Sequence, residues 1–184
     1  KINEFNGYNY QHLLTQDSIL GEDYGIPKIL EYGHLIPDID PITRSPVQLS
    51  DNHVYSIPYV IMEKGGDRDL IGVFVEKKDD YNLLKNDFIR KKLFWNLLRS
   101  VQILHRNNKV HLDLKLEQFV CKIGEPYKVK LIDYGFISDI GKNNERSFGT
   151  PRFMSPHMYL YILGKIPFNY KPCVDIYSLG ICFL

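Results

Sequence analysis

His111-Leu112-Asp113-Leu114-Lys115-Leu116-Glu117-Gln118, followed after two short β-like runs by Leu131-Ile132-Asp133-Tyr134-Gly135, is the stretch on which the reading of this chain turns. Neither half decides anything alone. An Asp between a helix and a strand is more often a turn or cap residue, and an Asp-aromatic-Gly is more often a plain turn. Their order and separation carry the information. Twenty positions separate Asp113 from Asp133, and Lys115 shares the first loop. Further along stand Gly149-Thr150-Pro151, Ser155-Pro156, and Asp175 with Ser178-Leu179-Gly180.

Outward from these motifs the texture changes near residue 65. Before it, short β-like runs at Lys28 to Tyr32 and Tyr59 to Met62 are broken by a Pro- and Asp-rich stretch from Pro37 to Asn52 that reads as an inserted loop. Gln11 to Leu20 reads as a helix, with Gly21 as its stop signal. After Gly65-Gly66 the helical period takes over. Leu84, Phe88, Trp95, Leu98, Val101 and His105 recur at spacings of three, four and seven, which predicts one long helix with these residues as its apolar stripe. Short strands are expected around Gln118 to Lys122 and Lys128 to Ile132, then an irregular polar stretch to about Arg152 and an apolar run from Val174 to Leu184. A small sheet-rich part thus joins a larger helical part at Glu63 to Gly66. The final apolar run has neither cap nor polar tail, so the chain is expected to be a fragment of a longer domain, cut at both ends.

Composition narrows the class. Hydrophobic content of 44% and charged content of 24% in 184 residues are ordinary globular usage and exclude disorder, collagen and coiled coil as the main reading. Lys plus Arg number 23 against 22 Asp plus Glu, and a net charge of +1 provides no long-range field to collect nucleic acid or an anionic membrane. No uncharged apolar run reaches the roughly 18 residues of a membrane span. Cys121, Cys173 and Cys182 cannot all pair and show no CxxC spacing, which argues against a disulfide framework or zinc site and points to an intracellular setting, cytoplasmic or nuclear.

The ordered series of motifs resembles the protein kinase signature set: an H-R-D-L-K-x-x-N catalytic loop, a metal-binding D-F-G, a G-T-x-x-[YF]-x-[AS]-P segment and a D-x-x-S-x-G helix. Gly25-Ile26-Pro27 and Gln118-Phe119-Val120 are most similar to the casein kinase one branch. The resemblance implies an α+β, bilobal fold, with residues 1–64 as a partial N-lobe from the third strand to the hinge and 65–184 as a partial C-lobe. It implies ATP-dependent phosphoryl transfer to Ser/Thr of a protein substrate. In that reading Asp113 accepts the proton of the substrate hydroxyl, and Lys115 neutralises the transferring phosphate. Thr150 orients Asp113, and Asp133 with Gln118 holds Mg²⁺. Met62 is the gatekeeper, the backbone of Glu63 to Gly65 reads the adenine edge, and Val120 forms its floor. Lys1 is the candidate for the lysine that grips the α/β-phosphates, which puts the Gly-rich loop upstream of residue 1.

Several positions depart from the pattern. Gln16 stands where the partner of Lys1 would be Glu, and a neutral hydrogen bond is worth about 1 kcal/mol against about 1.5 to 3 for a charge-assisted one. Gln118 replaces the Asn that holds a second Mg²⁺, whose near-octahedral demand leaves little room for an extra methylene. Leu112 replaces the Arg that would contact a phosphorylated activation loop, and His157 replaces the Glu of A-P-E. Two readings follow: an active serine/threonine kinase, supported by intact Asp113, Lys115, Asp133, Gly135, Thr150 and Asp175, and a pseudokinase acting as a nucleotide-binding or scaffolding module.

Overall fold

The computed structural model describes residues 24–35, 57–76, 79–142, 149–167 and 169–184. Lys1, Gln16, the helix expected at Gln11 to Leu20 and the loop expected from Pro37 to Asn52 lie outside them. Eight strands are described: β1 (Tyr24–Gly25), β2 (Ile29–Leu35), β3 (Ile57–Met62), β4 (Arg68–Asp69), β5 (Lys109–Val110), β6 (Phe119–Lys122), β7 (Glu125–Leu131) and β8 (Ser138–Asp139). The helices are α1 (Leu70–Glu76), α2 (Asp79–Leu84), α3 (Asp87–Arg106), α4 (Pro156–Ile162) and α5 (Cys173–Cys182).

The two early strands form an antiparallel pair, with Ile29 opposite Met62 and Leu35 opposite Ile57. A second sheet runs β1-β7-β6-β4. Its β1 joins in parallel with β7, so Tyr24 and Gly25, far away in sequence, sit beside Val129 and Lys130. Gly25 N–H donates to the Ser100 hydroxyl at 3.2 Å, fastening this crossing to α3. Between the two sheets run residues 26–28 and 63–67, and Glu63 N–H donates to the Lys28 carbonyl at 2.9 Å where they meet.

The 20-residue α3 is the scaffold of the larger part. Asn86 caps it, accepting from the Phe88 and Ile89 amides at 2.9 and 3.3 Å, and Asp87 in its first turn faces the positive end of the helix dipole. Its buried face differs from the stripe expected from apolar spacing. Leu84 belongs to the preceding α2, while Phe88 and Trp95 are 74% and 58% exposed; the inward residues are Leu93, Asn96, Leu97, Ser100, Val101 and Leu104. Two polar residues therefore sit on the core face, and both are satisfied there. Asn96 Nδ2 donates to the Tyr127 carbonyl at 2.9 Å, and the Ser100 hydroxyl donates to Asn96 O at 2.9 Å while accepting from Gly25. Burial of polar groups is tolerated when every group finds a partner, and of these partners Tyr127 and Gly25 come from elsewhere in the chain.

A main core gathers Ile26, Leu70, Leu93, Leu97, Phe119, Leu131 and Tyr134 with their neighbours. A second, smaller core holds Val110, Leu112, Met158, Tyr170 and Val174. The catalytic-loop candidate runs between the two.

Candidate active site

Strand pairing brings the two Asp motifs together. In β6 and β7 Phe119 lies opposite Leu131, and in β5 and β8 Val110 lies opposite Ser138. Each motif is thus clamped on both sides: one runs from Val110 to Phe119, the other from Leu131 to Ser138. The Ile132 amide donating to the Gln118 carbonyl at 2.8 Å closes the gap. Gln118 ends a single 3-10 turn (Leu116–Gln118) rather than opening the following strand.

The loop itself is held from α5. Asp175, 1% exposed, accepts from the His111 amide at 2.9 Å and the Leu112 amide at 3.0 Å, and bonds His105 Nε2 at 2.9 Å. These bonds hold Leu112 at a φ of +72°, a left-handed conformation that costs an L-residue about 1 to 2 kcal/mol. Gly149, at φ +83°, crosses so close to this turn that a Cβ there would lie 2.7 Å from the Leu112 carbonyl oxygen. No other residue fits.

On this frame the side chains converge. Thr150 Oγ1 donates to Asp113 Oδ1 at 2.8 Å, and Lys115 Nζ lies 3.5 Å from Thr150 Oγ1 and 3.7 Å from Asp113 Oδ2. Gln118 Nε2 stands between the two acids, 3.5 Å from Asp113 Oδ2 and 3.4 Å from Asp133 Oδ2. Asp133, at φ +64°, also accepts from the Gly135 amide at 3.4 Å. Gln118 is 2% exposed and its Oε1 is buried without a partner. A buried acceptor without a donor is costly, and the same amide's Nε2 faces Asp133, whose hard carboxylate oxygen atoms suit Mg²⁺. One carboxylate and one amide oxygen match a Mg²⁺ site completed by waters and phosphates, so the residues present fit this ion.

Tyr134, in the middle of the second motif, is buried; its hydroxyl donates to Leu131 O at 2.6 Å, and burial, with Asp133 adding to it, drives the phenol well above its ordinary pKa. Its ring packs on fully buried His111 at 5.9 Å. Burial holds the His111 imidazole below its ordinary pKa against the opposing pull of Asp175, Asp133, the Ile132 backbone and Asp113.

The adenine-site candidates also meet. A Cβ on Gly65 would lie 2.9 Å from Val120 Cγ2 and 3.0 Å from Pro27 Cγ, so the segment after β3 lies directly on Val120. Half-buried Met62 ends β3 opposite Ile29. Glu63 anchors the crossing, its carboxylate accepting from the Lys28 amide at 2.9 Å and from the Lys130 ammonium. Burial alone would raise its pKa, but Lys130 and the Lys28 amide hold it below the usual carboxylate value.

Spacing on its own assigned no role to Asp175, the anchor of the loop, or to Ser178, whose hydroxyl donates to the Phe153 carbonyl at 2.8 Å and ties α5 to the segment after Thr150. Leu112 is a packing residue of the second core, 6% exposed.

The protein kinase domain model matches residues 49–184, well over half of the chain. The chain belongs to the protein kinase domain family. This kinase domain is 42% identical over 89 residues to the Caenorhabditis elegans serine/threonine-protein kinase max-2, covering 47% of this chain and 12% of that protein. It is 28% identical over 183 residues to the probable serine/threonine-protein kinase kinX of Dictyostelium discoideum, covering 89% of this chain and 16% of that protein. Among solved structures it is similar to the Cydia pomonella granulovirus kinase PK-1, with a TM-score of 0.62 and 22% identity over 98% of this chain and 52% of the viral one. The α+β kinase fold follows from that likeness. The kinase domain described here therefore spans a small part of the curated relatives and about half of the viral chain.

Proposed function

We propose that this kinase domain transfers the γ-phosphoryl group of ATP to Ser or Thr hydroxyls of a protein substrate. The observation that carries the reading is the joining of Thr150, Asp113 and Lys115 in one hydrogen-bonded cluster with Asp133 across the Gln118 amide. Phosphoryl transfer asks mainly for positioning and charge neutralisation, and these four groups supply both.

Thr150 fixes one oxygen of the Asp113 carboxylate and the other, Oδ2, faces Gln118 Nε2 at 3.5 Å and Lys115 Nζ at 3.7 Å, an orientation that suits it to accept the proton of an incoming hydroxyl. The hydroxyl oxygen then bonds phosphorus as the bond to the ADP oxygen breaks. Lys115 is close enough to Asp113 to place its ammonium beside the transferring phosphate. Asp133 and Gln118 are the residues that would hold Mg²⁺, which when bound neutralises the nucleotide phosphates. The adenine edge is read by the backbone of Glu63 to Gly65 over Val120, with Met62 as gatekeeper and Lys1 on the phosphates. The division into a partial N-lobe, 1–64, and partial C-lobe, 65–184, and the casein kinase one-like placement on Gly25-Ile26-Pro27 belong to the same proposal. Three unpaired cysteines support an intracellular setting.

One observation favours the pseudokinase reading. The Gln118 amide presents Nε2, not Oε1, to both acids, so the group expected to coordinate Mg²⁺ instead bridges the carboxylates. Incubating the full-length protein with γ-labelled ATP, Mg²⁺ and a generic Ser/Thr acceptor protein separates the two. Label transferred to Ser or Thr supports catalysis; nucleotide binding without transfer supports the scaffold.

A further inference from the structure

Lys130 stands at the crossing between the two sheets, and phosphoryl transfer as derived above gives it no part. Strand pairing sets it there. It lies directly opposite Val120 in the antiparallel β6–β7 pair and beside Gly25 in the parallel β1–β7 pair. Opposed residues in a sheet turn their side chains to the same face, so Lys130 shares a face with the proposed adenine floor. A Cβ on Gly65 would lie 3.8 Å from Lys130 Cβ and 2.9 Å from Val120 Cγ2, so the segment after β3 rests on both residues. The Lys130 ammonium donates to Glu63 Oε1. We propose that Lys130 is a positioning residue of the nucleotide site, whose ion pair with Glu63 fixes where the backbone of Glu63 to Gly65 stands over Val120. This role rests on the reading of that backbone as the group that meets the adenine edge, and extends it to a side chain that acts through Glu63.

Two donors converge on one oxygen. Glu63 Oε1 accepts from the Lys28 amide at 2.9 Å as well as from Lys130, while the Glu63 amide donates back to the Lys28 carbonyl at 2.9 Å. Of these three bonds only the one from Lys130 reaches the sheet that carries Val120. Burial raises the Glu63 carboxyl, yet the two donors hold it below its ordinary pKa, so it meets the ammonium ionised. At 24% and 37% exposed, Lys130 and Glu63 form the kind of ion pair that adds little to stability. Its removal therefore reads position rather than folding.

Equilibrium titration of the full-length protein with MgATP and, separately, with adenosine tests the role. Lys130→Met keeps an unbranched stem beside Gly65 and removes the charge. A loss of about fivefold is expected for both ligands, the ceiling for a pair this exposed, with an unchanged thermal midpoint and recovery in Lys130→Arg. Adenosine has no phosphate, so a shared loss places the effect at the base. Glu63→Leu should lose as much and the double variant no more, because the two side chains act as one unit.

Equal affinities in the parent and Lys130→Met overturn the proposal. So does a loss confined to ATP, which is that of a charge acting on the phosphates, or losses that add in the double variant. Because binding is read rather than turnover, a parent that binds ATP without transferring its phosphate counts against the transfer reading alone. A parent that binds neither ligand overturns both.

Discussion

The hydroxyl of Thr150 donates a 2.8 Å hydrogen bond to Oδ1 of Asp113 across 37 positions of sequence. One carboxylate oxygen is thereby fixed and the other left facing Lys115 and Gln118. A hydrogen bond to a charged group is worth about 1.5 to 3 kcal/mol, which corresponds to roughly 10 to 10²-fold in rate if it is needed only to orient the base. Thr150→Val in the full-length protein should lower kcat by that factor with nucleotide affinity nearly unchanged. An equal loss in nucleotide affinity would assign Thr150 to binding instead.

Asp113→Asn keeps the acceptor for Thr150 and removes the base. General-base contributions run to about 10² to 10⁴-fold, so transfer to a protein acceptor should fall by at least 10²-fold while the unfolding midpoint stays put. A variant as active as the parent would remove Asp113 from the mechanism.

Asp175 is a matter of stability. Its two oxygens serve two buried amides and the His105 ring, so Asp175→Ala leaves several donors without water or partner. Each such group costs about 1 to 3 kcal/mol, and a loss of about 3 kcal/mol or more is expected in urea unfolding. Asp175→Asn retains one acceptor and should lose less.

His111 gives a pH dependence of definite sign. In the folded chain burial holds the imidazole below its ordinary 6.5 and neutral, whereas the unfolded chain takes up a proton there. Below that pH the unfolded state binds more protons, so stability declines as pH falls through 6.5 toward the folded pKa, by at most about 1.4 kcal/mol per pH unit for this one group. His111→Phe should flatten the decline between pH 6.5 and 5.5 in urea titrations. An identical slope in parent and variant would show that His111 is not its source.

Gln118 divides the two functional readings. Its amide lies at the outer edge of hydrogen-bond range from both acids. Gln118→Asn withdraws the amide from between them by on the order of 1 Å, and misplacement on that scale can cost about 10²-fold. Mg²⁺-dependent ATP binding should tighten and turnover rise by up to that factor. An unchanged Mg²⁺ dependence in an active parent would show that this side chain does not act on the metal.

What the sequence determined by itself was the order of the chemistry: Asp113, Lys115, Asp133 and Thr150 stand out because short polar motifs at fixed separations are local signals. The existence of α3 was equally legible, since apolar residues repeat along it at helical spacings, although that stripe begins at Leu84, before the Asn86 cap. Which face of α3 is buried was decided only by tertiary structure. Asn96 and Ser100 are polar, and nothing local says that Tyr127 and Gly25, 31 and 75 positions away, will satisfy them. Trp95 and Phe88 are apolar, and nothing local says they will stay exposed. The same holds for Asp175, whose partners lie more than 60 residues upstream, and for the Gln118 amide, whose place between two acids depends on how β6 and β7 pair. Periodicity reports the average polarity of a face, whereas burial depends on which donors and acceptors the rest of the chain brings to it.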